Sequence, residues 1–202
     1  MEMQVRKKND FPAGSFFTAA KAGVRNAAEA IAVMSSSEVR IDVISAGVSP
    51  TAYLSEFAGN PEDMVVGVYI TVAGEMPGHA LLVFPYDGAL HLVDMLLGQP
   101  HGTTKRLDEM AESVIQEAGN IVTGSYLEAL SDFFGWTLLP SPPSVAVDMA
   151  AAVVDSVLLN TGHFDDETIN IVTKFTGRGR SMRGFFLYIP EAQVTPEEPG
   201  RD

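Results

Sequence analysis

The sequence predicts an α+β fold of two similar halves, with about six antiparallel strands and two long helices packed on the sheet. Three observations predict it. Segments with apolar residues at three-to-four spacing alternate with β-branched, strand-like segments. The order helix, strand, short helix, strand, turn, strand occurs twice, once from residue 15 and again from Leu107. Local echoes follow the same register: Leu82-Val83-Phe84-Pro85 resembles Leu187-Tyr188-Ile189-Pro190, and Gly78 has a counterpart near Gly184. The 202 residues, 46% of them hydrophobic, suffice for one sizeable core. The expected organisation is a polar leader over 1–13, a single domain over 14–190 with half-repeats of about 14–98 and 105–190, and a disordered acidic tail over 191–202.

Each element has its own signal. Phe16, Ala20, Gly23, Ala27, Ala30 and Met34 recur at helical spacing, and the abundance of small residues suits close packing against another helix. Val39, Ile41 and Val43 alternate as a strand over 38–48. Ser49-Pro50 is a plausible start for a short helix over 51–57. The β-branched run 64–72, the turn Gly74 to Gly78, and the run 79–84 read as a hairpin. Residues 86–97 read as a helix closed by Gly98 and Pro100. The longest helix is expected over 107–134, capped by Asp108 or a preceding threonine and stopped by Gly135. A short strand over 136–139 runs into Pro140-Ser141-Pro142-Pro143, and 147–159 is expected to be helical, a buried strand being the alternative. A last hairpin joins 167–175 to 184–189 across Gly177-Arg178-Gly179-Arg180.

Composition removes whole classes of function. A formal net charge of −13 disfavours nucleic acid as the main partner. The absence of cysteine excludes disulfides, thiolate metal sites and cysteine nucleophiles. The four histidines, His79, His91, His101 and His163, have no metal-binding spacing, so no metal is expected. Arg6-Lys7-Lys8 is not followed by a secretory apolar stretch, and no apolar run approaches the ~20 residues of a membrane helix. A cytoplasmic protein without membrane insertion is expected.

The informative stretch lies on the long helix. At helical spacing Ser113, Glu117 and Asn120 share one stripe, beside an expected core stripe of Met110, Val114, Ala118 and Ile121 flanked by Ile115 and Val122. A solvated face is the ordinary reading of such a stripe. Asn in mid-helix is nonetheless a poor helix former that needs another reason to be there. Gly119 and Gly124 leave room for a second backbone. Elsewhere, Gly177 to Gly184 lies between two strands and opens no helix, so a hairpin turn is expected rather than a nucleotide loop. Glu62-Asp63 and Asp165-Asp166-Glu167 read as solvated loop charge, and no Ser-His-Asp arrangement can be assembled.

Ser113-x3-Glu117-x2-Asn120-x22-Pro143 resembles the D/S-x3-E-x2-N-x22-P signature of the CheC/CheX/FliY family of chemotaxis phosphatases. Glu117-Ala118-Gly119-Asn120-Ile121, the double proline before Val145, and Asp148-Met149-Ala150-Ala151-Ala152 are similar to the same pattern, and the resemblance spans roughly residues 12–190. It implies a pseudo-twofold duplicated CheC-like fold. It also implies hydrolysis of the aspartyl phosphate of a CheY-like response regulator, in which Asn120 holds the attacking water. Glu117 would ion-pair with a lysine of the partner, general base being the second option. Ser113 and Pro143 would support the motif, Pro143 by shaping its loop. Mg²⁺ would belong to the partner, with no cofactor held by this chain. Asn26-Ala27-Ala28 resembles the corresponding element of the first half. There the four motif positions hold Gly14, Thr18, Lys21 and Ile44, all departures, so only the second site is expected to work. The alternatives are a non-catalytic adaptor for a regulator, a CheD-like deamidase or the flagellar switch, and a structural homodimer.

Overall fold

The computed structural model describes residues 14–35, 39–50, 60–161, 167–177 and 179–191. In order these form α1 (Ser15–Met34), β1 (Arg40–Pro50), β2 (Met64–Gly74), β3 (Gly78–Pro85), α2 (Tyr86–Leu96), α3 (Glu109–Phe134), β4 (Leu138–Pro140), β5 (Ser144–Met149), α4 (Ala150–Thr161), β6 (Glu167–Gly177) and β7 (Arg180–Pro190). The leader, the short helix expected over 51–57, Arg178 and the tail beyond Glu191 lie outside the described residues.

One antiparallel sheet holds all seven strands, in the order β1-β6-β7-β3-β2-β4, with β5 also paired to β2. Exchanging β1 with β4–β5, β2 with β6 and β3 with β7 returns the same order reversed. The duplication is therefore a pseudo-twofold, with its axis between β3 and β7. The register supports it at the centre, where Leu82 pairs with Phe186 and Leu81 with Leu187.

The irregularities obey the same symmetry. In β1 the register slips between Val43 and Ser45, leaving Ile44 as the extra residue opposite β6. In the other half Pro140 pairs with Val72 and Ser144 with Tyr69, so residues 141–143 face only two residues of β2. Each half thus has one surplus residue in its edge strand, and Ile44 and Pro143 occupy equivalent bulges. This accounts for two departures from expectation. The strand that begins near 136 does not end at the prolines; it resumes as β5, giving seven strands. Helix α4 starts at Ala150 and not at Val147, whose backbone belongs to the ladder with Val66.

The helices α1, α2 and α3 cover one face of the sheet and bury the larger core, which includes Ala27, Ile31, Leu82, Phe84, Ile115, Tyr126 and Phe186. Helix α4 covers part of the opposite face with Val153, Val154 and Val157 against Val65, Leu81 and Leu187. Fully burying an aliphatic or aromatic side chain contributes about 1.5–3 kcal/mol, so Leu127, Leu130 and Phe134 hold α3 firmly in place. Asp108 caps its start by accepting from the Ala111 N–H at 3.0 Å, and Gly135, at φ 72°, ends it. Helix α1 crosses α3 closely at Gly23, where a Cβ would lie 2.8 Å from the Tyr126 ring and 2.9 Å from the Ser125 carbonyl oxygen. Among the described residues no helix is long and apolar enough to cross a membrane.

Candidate functional site

Ser113, Glu117 and Asn120 are all exposed on α3. At steps of four and three they lie on one stripe, with neighbouring Cβ atoms about 5–6 Å apart. The stripe continues to Gly124, where an added Cβ would meet nothing within 4 Å, so the helix backbone is open there. Gly119 has the opposite role. A Cβ at that position would sit 2.6 Å from Val68, so its lack of a side chain lets α3 lie directly on β2.

The core face of α3 differs from expectation by about one residue. Ala111, Ile115, Ala118, Gly119 and Val122 are buried, while Met110 is 66% exposed and Val114 and Ile121 are only half-buried. Hydropathy ranks Met and Ile above Ala and Gly. Close approach to the sheet selects the small residues instead, and this rotates the buried face. The rotation leaves Ser113, Glu117 and Asn120 fully outward.

Half-buried apolar groups border the stripe. Ser113, Val114 and Glu117 line an open cavity of about 190 Å³ with Met34 at the end of α1, Leu96 at the end of α2 and Leu97 just after it. Leu97 also lines a larger cavity, about 340 Å³, beside Met110, Lys105 and Arg106. The segment between α2 and α3 that carries these residues is fastened by Asp94. Its buried carboxylate accepts from the Gly102 N–H at 2.6 Å and the Thr104 N–H at 2.8 Å. Burial pushes the Asp94 pKa up, but hydrogen bonds from Thr104, Gly102 and Thr103 outweigh it and hold the group below its ordinary value.

Pro143 stands beside the stripe. The side-chain amide of Gln116 donates to the Pro143 carbonyl at 2.8 Å. The same loop is fixed to β2 at its other end: the Ser141 N–H donates to the Thr71 carbonyl at 2.8 Å, and the Thr71 N–H donates to the Ser141 hydroxyl at 3.1 Å. Pro143, 23 positions beyond Asn120, is thereby tied to the helix that carries Ser113, Glu117 and Asn120. Among the described residues, the Glu117 carboxylate and the Asn120 amide make no hydrogen bond or ion pair with the rest of the chain. Both are available to an outside group. Sequence reasoning missed Gln116. Its one signal is position, four residues before Asn120 and so on the same side of the helix.

The equivalent surface of the first half is chemically different. Gly14 precedes α1 in a left-handed conformation, φ 88°. The Thr18 hydroxyl is turned back to the Gly14 carbonyl at 3.2 Å. The Lys21 ammonium sits over the Phe17 ring, 4.7 Å from its centroid. Ile44, 45% exposed, takes the place of proline.

The other candidates resolve into structure. Gly179 turns the β6–β7 hairpin at φ 76°, and Arg180 reaches His101 Nε2 at 3.0 Å. Gly184 has a packing role, since a Cβ there would meet Phe84 at 2.7 Å. Asp63 accepts from the Asn60 N–H in an exposed turn. His79 Nδ1 lies 2.5 Å from the Tyr69 hydroxyl, and His91 Nδ1 lies 3.1 Å from His101 Nδ1. His163, Asp165 and Asp166 lie outside the described residues. Among the described residues no three His, Asp or Glu side chains are grouped to hold a metal ion.

Residues 110–147 match the model of the CheC-like family, a span containing all four motif residues. Over 173 residues the chain is 29% identical to the CheY-P phosphatase CheC of Bacillus subtilis, covering 84% of this chain and 83% of that protein. In structure it is similar to Thermotoga maritima FliY, with a TM-score of 0.70, 17% identity, and coverage of 88% and 91% of the two chains. It is also similar to a chain of the FliG–FliM complex from H. pylori, with a TM-score of 0.64, 18% identity, and coverage of 91% and 94%. At these identities the two structural likenesses establish the fold alone.

Proposed function

We propose, from its likeness to the CheC-like family, that this chain is an aspartyl-phosphate phosphatase acting on a CheY-like receiver domain of chemotaxis or two-component signalling. The observation that carries this reading is the shared, outward and unengaged placement of Glu117 and Asn120 on one helix stripe. An acyl phosphate is already labile, and its hydrolysis needs an aligned water and a fixed phosphorus more than a new nucleophile. Asn120 supplies a donor and an acceptor on one amide, enough to hold a water in line with phosphorus. Glu117, one turn earlier, pairs with a cation beside the partner's phosphorylated aspartate and sets the docked register. Ser113 continues the contact, and Pro143 walls one side. The divalent cation of the reaction is held by the partner, where it neutralises phosphate charge; among the described residues of this chain no group of acids and imidazoles is placed to cage it.

The test is phosphate loss from a phosphorylated receiver domain in the presence of Mg²⁺, with and without this protein. Acceleration by wild type that disappears in Asn120→Ala supports the reading. A phosphate lifetime unchanged by the wild-type protein for any cognate regulator sinks it. The loss of all four motif positions in the first half (Gly14, Thr18, Lys21 and Ile44) and the net charge of −13 motivate one second reading, a scaffold that docks a regulator without catalysis. That reading gains if the receiver binds but its phosphate lifetime does not change.

A further inference from the structure

We propose that Gln116 is a positioning residue of this site, acting through Pro143; the inference rests on the phosphatase reading above. Three observations carry it. Gln116 makes the hydrogen bond that joins the catalytic helix to the proline loop, Nε2 to the Pro143 carbonyl at 2.8 Å, across 27 positions of sequence. It precedes Asn120 by four residues, so the tied loop stands one helical turn from the amide that holds water. The loop is already anchored to β2 by Ser141 and Thr71, so the fold does not need Gln116 to keep it on the sheet.

The duplicated architecture supplies an internal control. The residue of α1 equivalent to Gln116 is Phe17, which precedes Thr18 as Gln116 precedes Glu117. Phe17 has no donor, and its ring lies under Lys21. The equivalent bulge at Ile44 forms nonetheless, in full register with β6 on either side. Helix and bulged edge strand therefore assemble without such a tie in the half whose motif is lost. The half that keeps Glu, Asn and Pro also keeps the tie. Fixing the Pro143 carbonyl defines the wall beside Asn120 and narrows the directions from which water and phosphate reach it. A displacement of about 1 Å in such a wall is enough to cost up to ~10²-fold in rate.

The experiment compares full-length wild type, Gln116→Met and Gln116→Lys in steady-state dephosphorylation of a receiver domain, with thermal unfolding measured on the same samples. Methionine keeps the length and removes the donor; lysine restores one. The expected result is a kcat about tenfold lower for Gln116→Met, with KM within about twofold, an unchanged Tm, and partial recovery in Gln116→Lys. A Gln116→Met variant with wild-type kcat overturns the proposal, as does a loss that tracks a fall in Tm. A wild-type protein without activity instead removes the phosphatase reading and this role with it.

Discussion

Asn120 is an amide on an open helix face, one turn beyond a glutamine already committed to a carbonyl. At this scale the predictions concern which kinetic constant moves. On the proposed mechanism Asn120→Ala removes the water-holding group and should lower kcat by about 10²-fold or more, the cost of losing one preorganised polar contact in a transition state. Glu117→Ala removes the proposed docking charge and should raise KM about tenfold, leaving kcat much less affected; steady-state kinetics separate the two. Lys21→Ala, on the equivalent face of α1, should change neither. That Glu117 and Asn120 share one exposed face was legible from spacing, because helical periodicity fixes which side chains lie together; that the face is a candidate site came only from the family resemblance. Gln116 was not legible. A hydrogen bond to a loop 27 positions away depends on where the bulge places the Pro143 carbonyl, and no local pattern encodes that.

The helix α3 uses its glycines in two ways, and substitution distinguishes them. Gly119→Ala should destabilise the protein by about 1–3 kcal/mol, since the new methyl meets Val68 at 2.6 Å and must push the helix from the sheet. Gly124→Ala meets nothing and should stabilise by up to about 1 kcal/mol through helix propensity alone, raising Tm. If a partner's backbone approaches there, the same variant should lower kcat/KM despite its greater stability. Element limits were largely readable: α1 runs over Ser15–Met34 as its periodicity indicates, and Asp108 and Gly135 bound α3. Two features were not. The buried stripe of α3 is set by close contact of Ala111, Ala118 and Gly119 with its neighbours, which hydropathy undervalues. The resumption of strand after Pro142-Pro143 depends on an open edge of β2, which exists only once the sheet has formed.

The whole molecule is a symmetric frame with an asymmetric surface. Its strand order is its own mirror under exchange of halves, yet one outward helix face carries Glu117 and Asn120 and the other carries Thr18 and Lys21. Stability should also respond to pH as a whole-fold property. Burial lowers the His79 pKa, with Glu191 opposing it. Burial lowers that of His91 too, with His101 and Arg180 adding to the effect and Asp94 opposing it. In the unfolded chain both imidazoles take a proton near their ordinary 6.5, before the folded protein does. This part of the stability is therefore complete above that pH and declines as pH falls below it. Thermal unfolding from pH 7.5 to 5 should show a falling Tm, and His91→Gln should make the fall shallower.

The claim that one face works and the other is silent is tested most directly by amide hydrogen exchange on the full chain, with and without a receiver domain held in its activated form by beryllofluoride and Mg²⁺. The account predicts new protection along 113–124 of α3 and at 141–144, and none along 14–25 of α1. Protection confined to α1, or spread equally over both helices, would contradict it.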